Sequence, residues 1–355
     1  MKHSPLPASS QLLRFGVIGV VVTGLAAGFA WTAGWVGPQR LSAQAFVDRF
    51  EENGGVHPGY RRAHAKGLCV SGWFESSGAA AGLSTAEVFQ PGRLPVLGRL
   101  SIGSGSPHTP DIASPVRSLA LLIEQSNGEQ WRTAMNTPPV LPVGTPEAFF
   151  EQVGAMRPDP ATGKPDPATM QAFFAKHPES ASFLRWAASN QPSSSFATTR
   201  YHGIHAFNLI AADGSIQPVR WALQPLAEAE PLQPDGDPNQ LQQEFSARLA
   251  QQPARWQLLL TLAEPDDPVA DSSQAWPAER RQLEAGVVII ERAEAQLGGA
   301  CQDVNFDPLV LPNGIQASAD PILRARSSAY AESFRRRTRE GAPQAAAQPE
   351  QGAKP

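Results

Sequence analysis

Near the carboxy-terminal end stands Arg326-Ser327-Ser328-Ala329-Tyr330, inside a run with helical periodicity from about Asp320 to Arg337. Residues four apart share a helix face, so the guanidinium of Arg326 can lie against the phenol of Tyr330 and favour its anion. Phe306-Asp307-Pro308, Leu311-Pro312, Gly314-Ile315, Ser318 and Asp320-Pro321 lead into that helix. Arg337 and its neighbours form the only basic cluster of the chain. Past them, residues 338–355 are mostly Gln, Ala, Pro and Glu with almost nothing to bury, which predicts a disordered tail.

The other 300-odd positions set the frame. A chain of 355 residues, 41% of them hydrophobic, can build a sizeable core. The formal net charge of −4 and the pI near 6.0 argue against nucleic acid as a partner. With 34 prolines and 30 glycines, much of the backbone should be strand, turn and extended loop, so a mixed α and β protein is expected. From about Gly16 to Gly37 there is no charge, and the stretch is long enough to cross a bilayer as a helix. Lys2 and Arg14 before it, with Trp31 and Trp35 near its far end, predict an anchor through residues 15–37 in the cytoplasmic membrane. Residues 1–38 would form a cytoplasmic tip and anchor, and 39–337 a periplasmic domain; a cleaved signal peptide is the rival. Cys69 and Cys301 are the only cysteines. A disulfide between them needs proximity that spacing alone does not give.

Short alternating or apolar runs predict strands over 67–74, 116–123, 139–143, 206–210 and 219–223, a spacing that suits an antiparallel barrel. Helices are expected over 42–53, 147–156, 167–176, 240–251 and 320–337, with a Pro- and Asp-rich loop at 157–168.

Two further blocks agree with the carboxy-terminal one. Arg61-Arg62-Ala63-His64-Ala65-Lys66-Gly67 places a lone histidine among basic residues before a strand, and Gly72-Trp73-Phe74 follows. In the middle stand Arg132-Thr133-Ala134-Met135-Asn136-Thr137-Pro138, Pro146-Glu147-Ala148-Phe149, Ser195-Phe196-Ala197, Tyr201, Gly203, His205-Ala206-Phe207 and Trp276-Pro277. In order and spacing these blocks resemble the catalase superfamily over about residues 46–337. The long amino-terminal arm and the terminal flavodoxin-like domain of large catalases have no counterpart, so the chain is most similar to the compact group of catalase-related peroxidases.

The resemblance implies an α+β fold, an antiparallel eight-stranded β-barrel surrounded by helices, to which the sequence adds one amino-terminal transmembrane helix. It implies haem b, with Tyr330 as axial iron ligand, and a high-valent, ferryl intermediate. His64 would shuttle a proton between the two peroxide oxygens, and Asn136 would hold the peroxide over the metal. Arg61, Arg117 and one of Arg336 or Arg337, the second preferred, would pair with the haem carboxylates. Phe149, and Phe74 beside it, would pack on the macrocycle, and His205 would partner Arg326. The implied reaction is reduction of organic peroxides and hydrogen peroxide by a small organic donor, in a possible homodimer. True catalase activity and a haem-binding protein without turnover are the alternatives. One departure bears on that choice: where large catalases carry a small hydroxyl residue two positions after the arginine matched by Arg117, this sequence has Leu119, so a polar contact near His64 should be missing. His202-x-x-His205 is weak as a metal site without carboxylate or cysteine partners, and His57, His108 and His177 are expected at the surface.

Overall fold

Seventy residues of alternating sequence after position 66 make the first half of a barrel. Strands β1 (Gly67–Ser76), β2 (Gly92–Ile102), β3 (Arg117–Glu124) and β4 (Gln130–Asn136) pair antiparallel in chain order. The short β5 (Tyr201–His202) joins β4 to β7 (Ile216–Pro225), which pairs with β8 (Ala254–Leu262). Strand β9 (Gln282–Ala295) pairs with both β8 and β1 and closes the cylinder at eight strands. Two further strands, β6 (Phe207–Ile210) and β10 (Ile315–Ala317), extend the sheet beyond β7. Register shifts at Ser71/Gly72 and at Leu258/Leu259 supply the local bends that closure requires. Gly72 has no substitute there, because a Cβ would come within 1.9 Å of the Ile289 carbonyl oxygen.

Side chains alternate across each strand, and the two faces of β2–β4 differ. Leu100, Leu119, Leu121 and Met135 belong to the main core with Trp131 and Trp221, whose rings meet edge-on at 5.0 Å. On the other face lie Arg99, Ser101, Ser118, Ala120, Ala134 and Asn136. Phe74 is fully buried in the main core, so it does not pack in the cleft as expected; its ring fills the space left open by Gly286.

The computed structural model describes residues 8–32 and 41–340, and the chain divides between Ser42 and Ala43 into two units, each taken by itself. The first carries α1 (Ala8–Thr32). Among the described residues no helix is long and apolar enough to cross a membrane. This overturns the expected anchor, and with it the placement as a single-pass protein with its catalytic domain in the periplasm. The part of α1 whose side chains are described, residues 14–30, begins on Arg14 and is thinned by Gly16, Gly19, Gly24 and Gly28. The rest of the expected anchor, residues 33–37, lies outside the described residues, as do positions 341–355 of the expected tail.

In the second unit, helices α2 (Ala43–Gly54), α3 (Pro146–Ala155), α4 (Pro167–Lys176), α5 (Ala181–Ser189), α6 (Gln240–Leu249) and α7 (Pro321–Arg339) surround the barrel. Helix α7 starts on Pro321 with the Asp320 carboxylate accepting from the Ile322 amide at 2.9 Å, and it runs through Thr338 rather than stopping before it. Arg336 binds it to α2 through Asp48 at 2.7 Å and Glu51 at 2.8 Å. Residues 139–143 form no strand, since Pro139 and Pro142 lack the amide that a ladder needs. Cys69 and Cys301 form a disulfide that ties β1 to the segment leading into α7.

Candidate active site

The outer face of β2–β4 is one wall of a cleft of about 250 Å³ whose other walls come from α2, α3 and α7. Strand register arranges the first wall in rows. Ser101, Ser118 and Asn136 lie side by side across three strands, and Arg99, Ala120 and Ala134 form the next row. The polar row serves the end of the cleft where His64 sits, and the two alanines leave a flat floor.

His64 stands in the turn before β1 with φ +54°, a left-handed conformation unusual for a residue with a side chain. Its neighbours hold it there. The Ala65 amide donates to the Ser104 carbonyl at 2.7 Å, and Arg99 Nη2 donates to the carbonyls of His64 at 2.6 Å and Ala65 at 3.1 Å. Nδ1 of the ring lies 3.0 Å from Ser118 Oγ, and that hydroxyl also donates to Asn136 Oδ1. A hydroxyl has one proton, and an amide oxygen can only accept. Ser118 therefore accepts from Nδ1–H of the neutral ring, which leaves Nε2 as the bare nitrogen and turns the Asn136 amide so that its NH2 is the free end. Burial, then Arg99, Arg326 and Arg61, push the His64 pKa down to about 4, so the ring is neutral at physiological pH.

The opposite wall is α7. Tyr330 and Arg326 line the cleft, with Arg326 Nη2 donating to the phenol oxygen at 3.3 Å. The expected hydrogen bond from His205 to Arg326 is not formed. His205 Nδ1 instead meets Asp320 Oδ2 at 2.7 Å, and both His205 Nε2 and Arg326 Nη1 are buried without a partner. Burial first, and Arg326 and Arg220 after it, outweigh Asp320 and hold the His205 pKa near 4, so the imidazole is neutral and the carboxylate anionic.

Of the other expected residues, Arg61, Asn136, Phe149 and Arg337 line the cleft. Arg61 Nη2 donates to the carbonyls of Val304 at 2.9 Å and Cys301 at 3.1 Å. Arg336 is committed to Asp48, Glu51 and Glu332, whereas Arg337 faces the cleft with Nε and Nη2 unpartnered. Arg117 is elsewhere. It is 2% exposed, and its guanidinium is consumed by the carbonyls of Ser193 at 2.6 Å and Ser195 at 3.1 Å. The arginine that faces the cleft is Arg99, one strand earlier, and two positions after it comes Ser101, also in the cleft. The inference from Leu119 falls with Arg117, because hydroxyls are present beside His64 and one of them touches it. Alternation within β2 carried that signal, since Arg99 and Ser101 flank Leu100 of the core. His202 Nδ1 meets the Thr137 carbonyl at 2.8 Å, and among the described residues no cluster of three or more His, Cys, Asp or Glu could hold a metal.

Five arginines and no carboxylate line the cleft. Burial and mutual repulsion depress Arg61 well below the guanidinium range and Arg99 to about 9, and burial lowers Arg337. Such a cluster calls for an anion. Above it Phe149 and Phe306 offer flat apolar surface, and Tyr330 offers an oxygen. A planar apolar group with carboxylates at one edge and an oxygen-seeking metal at its centre fits these donors, which is the chemistry of haem.

The fold and the cleft together define a closed antiparallel barrel whose outer face suits haem. The catalase family model matches residues 28–345. A catalase-related peroxidase of Synechococcus elongatus is 38% identical over 328 residues, covering 91% of this chain and 93% of its own. Another, of Mycolicibacterium paratuberculosis, is 35% identical over 305 residues, 84% of this chain and 95% of its own. Solved bacterial and fungal catalases superpose with TM-scores of 0.71 and 0.73 at 20% and 19% identity, over 86% and 85% of this chain, which spans 62% and 64% of theirs. The chain belongs to the catalase family, oxidoreductases that act on peroxide and use haem.

Proposed function

We propose that the protein is a haem b peroxidase that reduces organic peroxides and hydrogen peroxide with a small organic donor. The observation that carries this reading is the pairing of a phenol-bearing helix wall with a strand wall that presents a neutral, tautomerically fixed histidine. Haem, when bound, would supply the redox chemistry by which the peroxide O–O bond is reduced at the expense of the donor. The protein residues divide the remaining work. Tyr330, with the Arg326 guanidinium against its phenol oxygen, would ligate the iron, while Arg61, Arg99 and Arg337 would pair with the carboxylates. His64 takes the proton of the arriving peroxide at Nε2 and hands it to the departing oxygen. The Asn136 amide donates to the peroxide and steers its inner oxygen.

Support for peroxidase rather than catalase turnover comes from the two relatives, matched over more than nine-tenths of their own length and both described as catalase-related peroxidases. The hydroxyls of Ser101 and Ser118 favour keeping true catalase activity as the second reading. The test is the visible spectrum of the full chain supplied with haem, before and after one equivalent of an organic peroxide. A ferric spectrum of the tyrosinate-ligated kind that shifts and then returns with a phenolic donor is expected. Oxygen evolved from hydrogen peroxide without donor would move the reading to catalase; a haem spectrum that ignores peroxide would move it to haem binding alone.

A further inference from the structure

Gln296, just past the end of β9, lies outside the cleft and is 8% exposed. Its amide oxygen accepts from Arg99 Nε at 3.0 Å and Nη2 at 2.6 Å, and its amide nitrogen donates to the Ala65 carbonyl at 2.7 Å. Arg99 Nη2 in turn reaches the carbonyls of His64 and Ala65. The two side chains thus form a closed ring of hydrogen bonds around the peptide that follows His64. That peptide needs an external hold, because the left-handed backbone of His64 is not one that its side chain favours. Gly67 makes room for the ring: a Cβ there would lie 2.9 Å from Arg99 Nη2 and 2.2 Å from the Leu100 carbonyl oxygen.

Resting on the function proposed above, we infer that Gln296 is a positioning residue for the peroxide reaction, acting through Arg99 and the Ala65 carbonyl to hold the His64 backbone and aim its ring into the cleft. Without it Arg99 can turn toward the anion site, the carbonyls of His64 and Ala65 lose their shared donor, and the turn is free to relax into a right-handed conformation that withdraws the imidazole. Gln296 does not line the cleft itself, but it holds Arg99, which does, so the rate is always read against the cofactor content of the same sample.

The test compares the full-length protein with Gln296→Met, which keeps the volume and removes all three hydrogen bonds, and with Gln296→Glu, which keeps the two acceptor contacts to Arg99 and loses the donation to Ala65. The first readout needs no cofactor: the ring resonances of His64 followed by NMR from pH 3 to 8, with Arg61, Arg99 and Arg326 as the charged groups facing the ring. In Gln296→Met the midpoint should rise from the neighbourhood of 4 toward the ordinary histidine range as the ring leaves its buried position. The second is the rate constant for reaction of the haem-loaded protein with peroxide, expected to fall about tenfold or more with the haem spectrum unchanged, and to recover to within about threefold in Gln296→Glu. A Met variant with the wild-type midpoint and rate constant would overturn the inference. So would a rate that falls only in proportion to lost haem. If Gln296→Met does not fold, Gln296→Ala takes its place, and a wild-type His64 midpoint together with a wild-type rate constant there would overturn the inference. A wild-type chain that binds no haem would sink the function reading, while the His64 titration would still test the clamp.

Discussion

The strand wall and the helix wall of the cleft are built on different terms. On the strand wall Arg99, Ser118 and Asn136 already have their partners, and even the carbonyls behind His64 are paired. On the helix wall Arg326 Nη1 and Arg337 Nε and Nη2 are buried without any. Unpaired buried donors cost about 1–3 kcal/mol each, and more when charged, so a protein keeps them where a ligand will complete them. The strand wall has its geometry set by the protein's own hydrogen bonds before the cofactor arrives; the buried donors of the helix wall are completed by it.

That contrast makes unequal predictions. His64→Ala, on the strand wall, should lower the rate constant with peroxide by about 10²–10⁴-fold while leaving cofactor content near one per chain, measured by stopped-flow and by the haem absorbance. Retained reactivity would show that the strand wall does not carry the chemistry. Tyr330→Phe, on the helix wall, should do the reverse and weaken haem binding by at least about a hundredfold, more than the 10–100-fold typical of residues that merely support a metal ligand. Titration of the apoprotein with haem reads this directly. Arg337→Ala removes one charged donor set and should weaken the same titration by roughly 10–100-fold, the equivalent of about 1.5–3 kcal/mol; an unchanged affinity would mean that its open donors serve something else. Ser118→Ala should cost about tenfold or more in peroxide rate at constant haem content, since its hydroxyl orients His64 and Asn136 through two hydrogen bonds worth about 1 kcal/mol each.

The smallest effect concerns acid stability. Burial holds the His205 pKa near 4, below its ordinary 6.5, so the unfolded chain binds the extra proton first as pH falls. Stability from this group is complete above pH 6.5 and declines between 6.5 and 4 by up to about 1.4 kcal/mol per pH unit. Thermal melts across that window should show the decline, to which buried His64 and His202 contribute in the same sense, and His205→Gln should make it shallower. If the two slopes coincide, another group governs acid unfolding.

Much of this was legible in the sequence where the signal was local. Helix α4 spans 167–176 as its periodicity indicates, and the Arg326–Tyr330 pair is a matter of one helical turn. Strand β2 was missed, because Gly92, Pro95 and Gly98 break its pattern and leave only the short alternation Arg99-Leu100-Ser101 at its end, and with it went Arg99. Counting along the chain then assigned its place to Arg117, a position that packs against Ser193 and Ser195 nearly eighty residues away. Gln296 was invisible for the same reason: it meets Arg99 only once β9 has closed the barrel against β1. Helix α5 was missed because it buries no side chain and so carries no core stripe to read.

The rows that cross β2, β3 and β4 set limits on how this gene can drift. Deleting a single codon within β3 would exchange the two faces of the strand downstream of the cut, sending Leu119 toward the cleft and Ser118 or Ala120 into the core. Deleting two would restore the alternation and merely shift each row by one step along the cylinder. Among surviving length variants of these three strands, changes should therefore come in pairs, while the loops between them can take up any number.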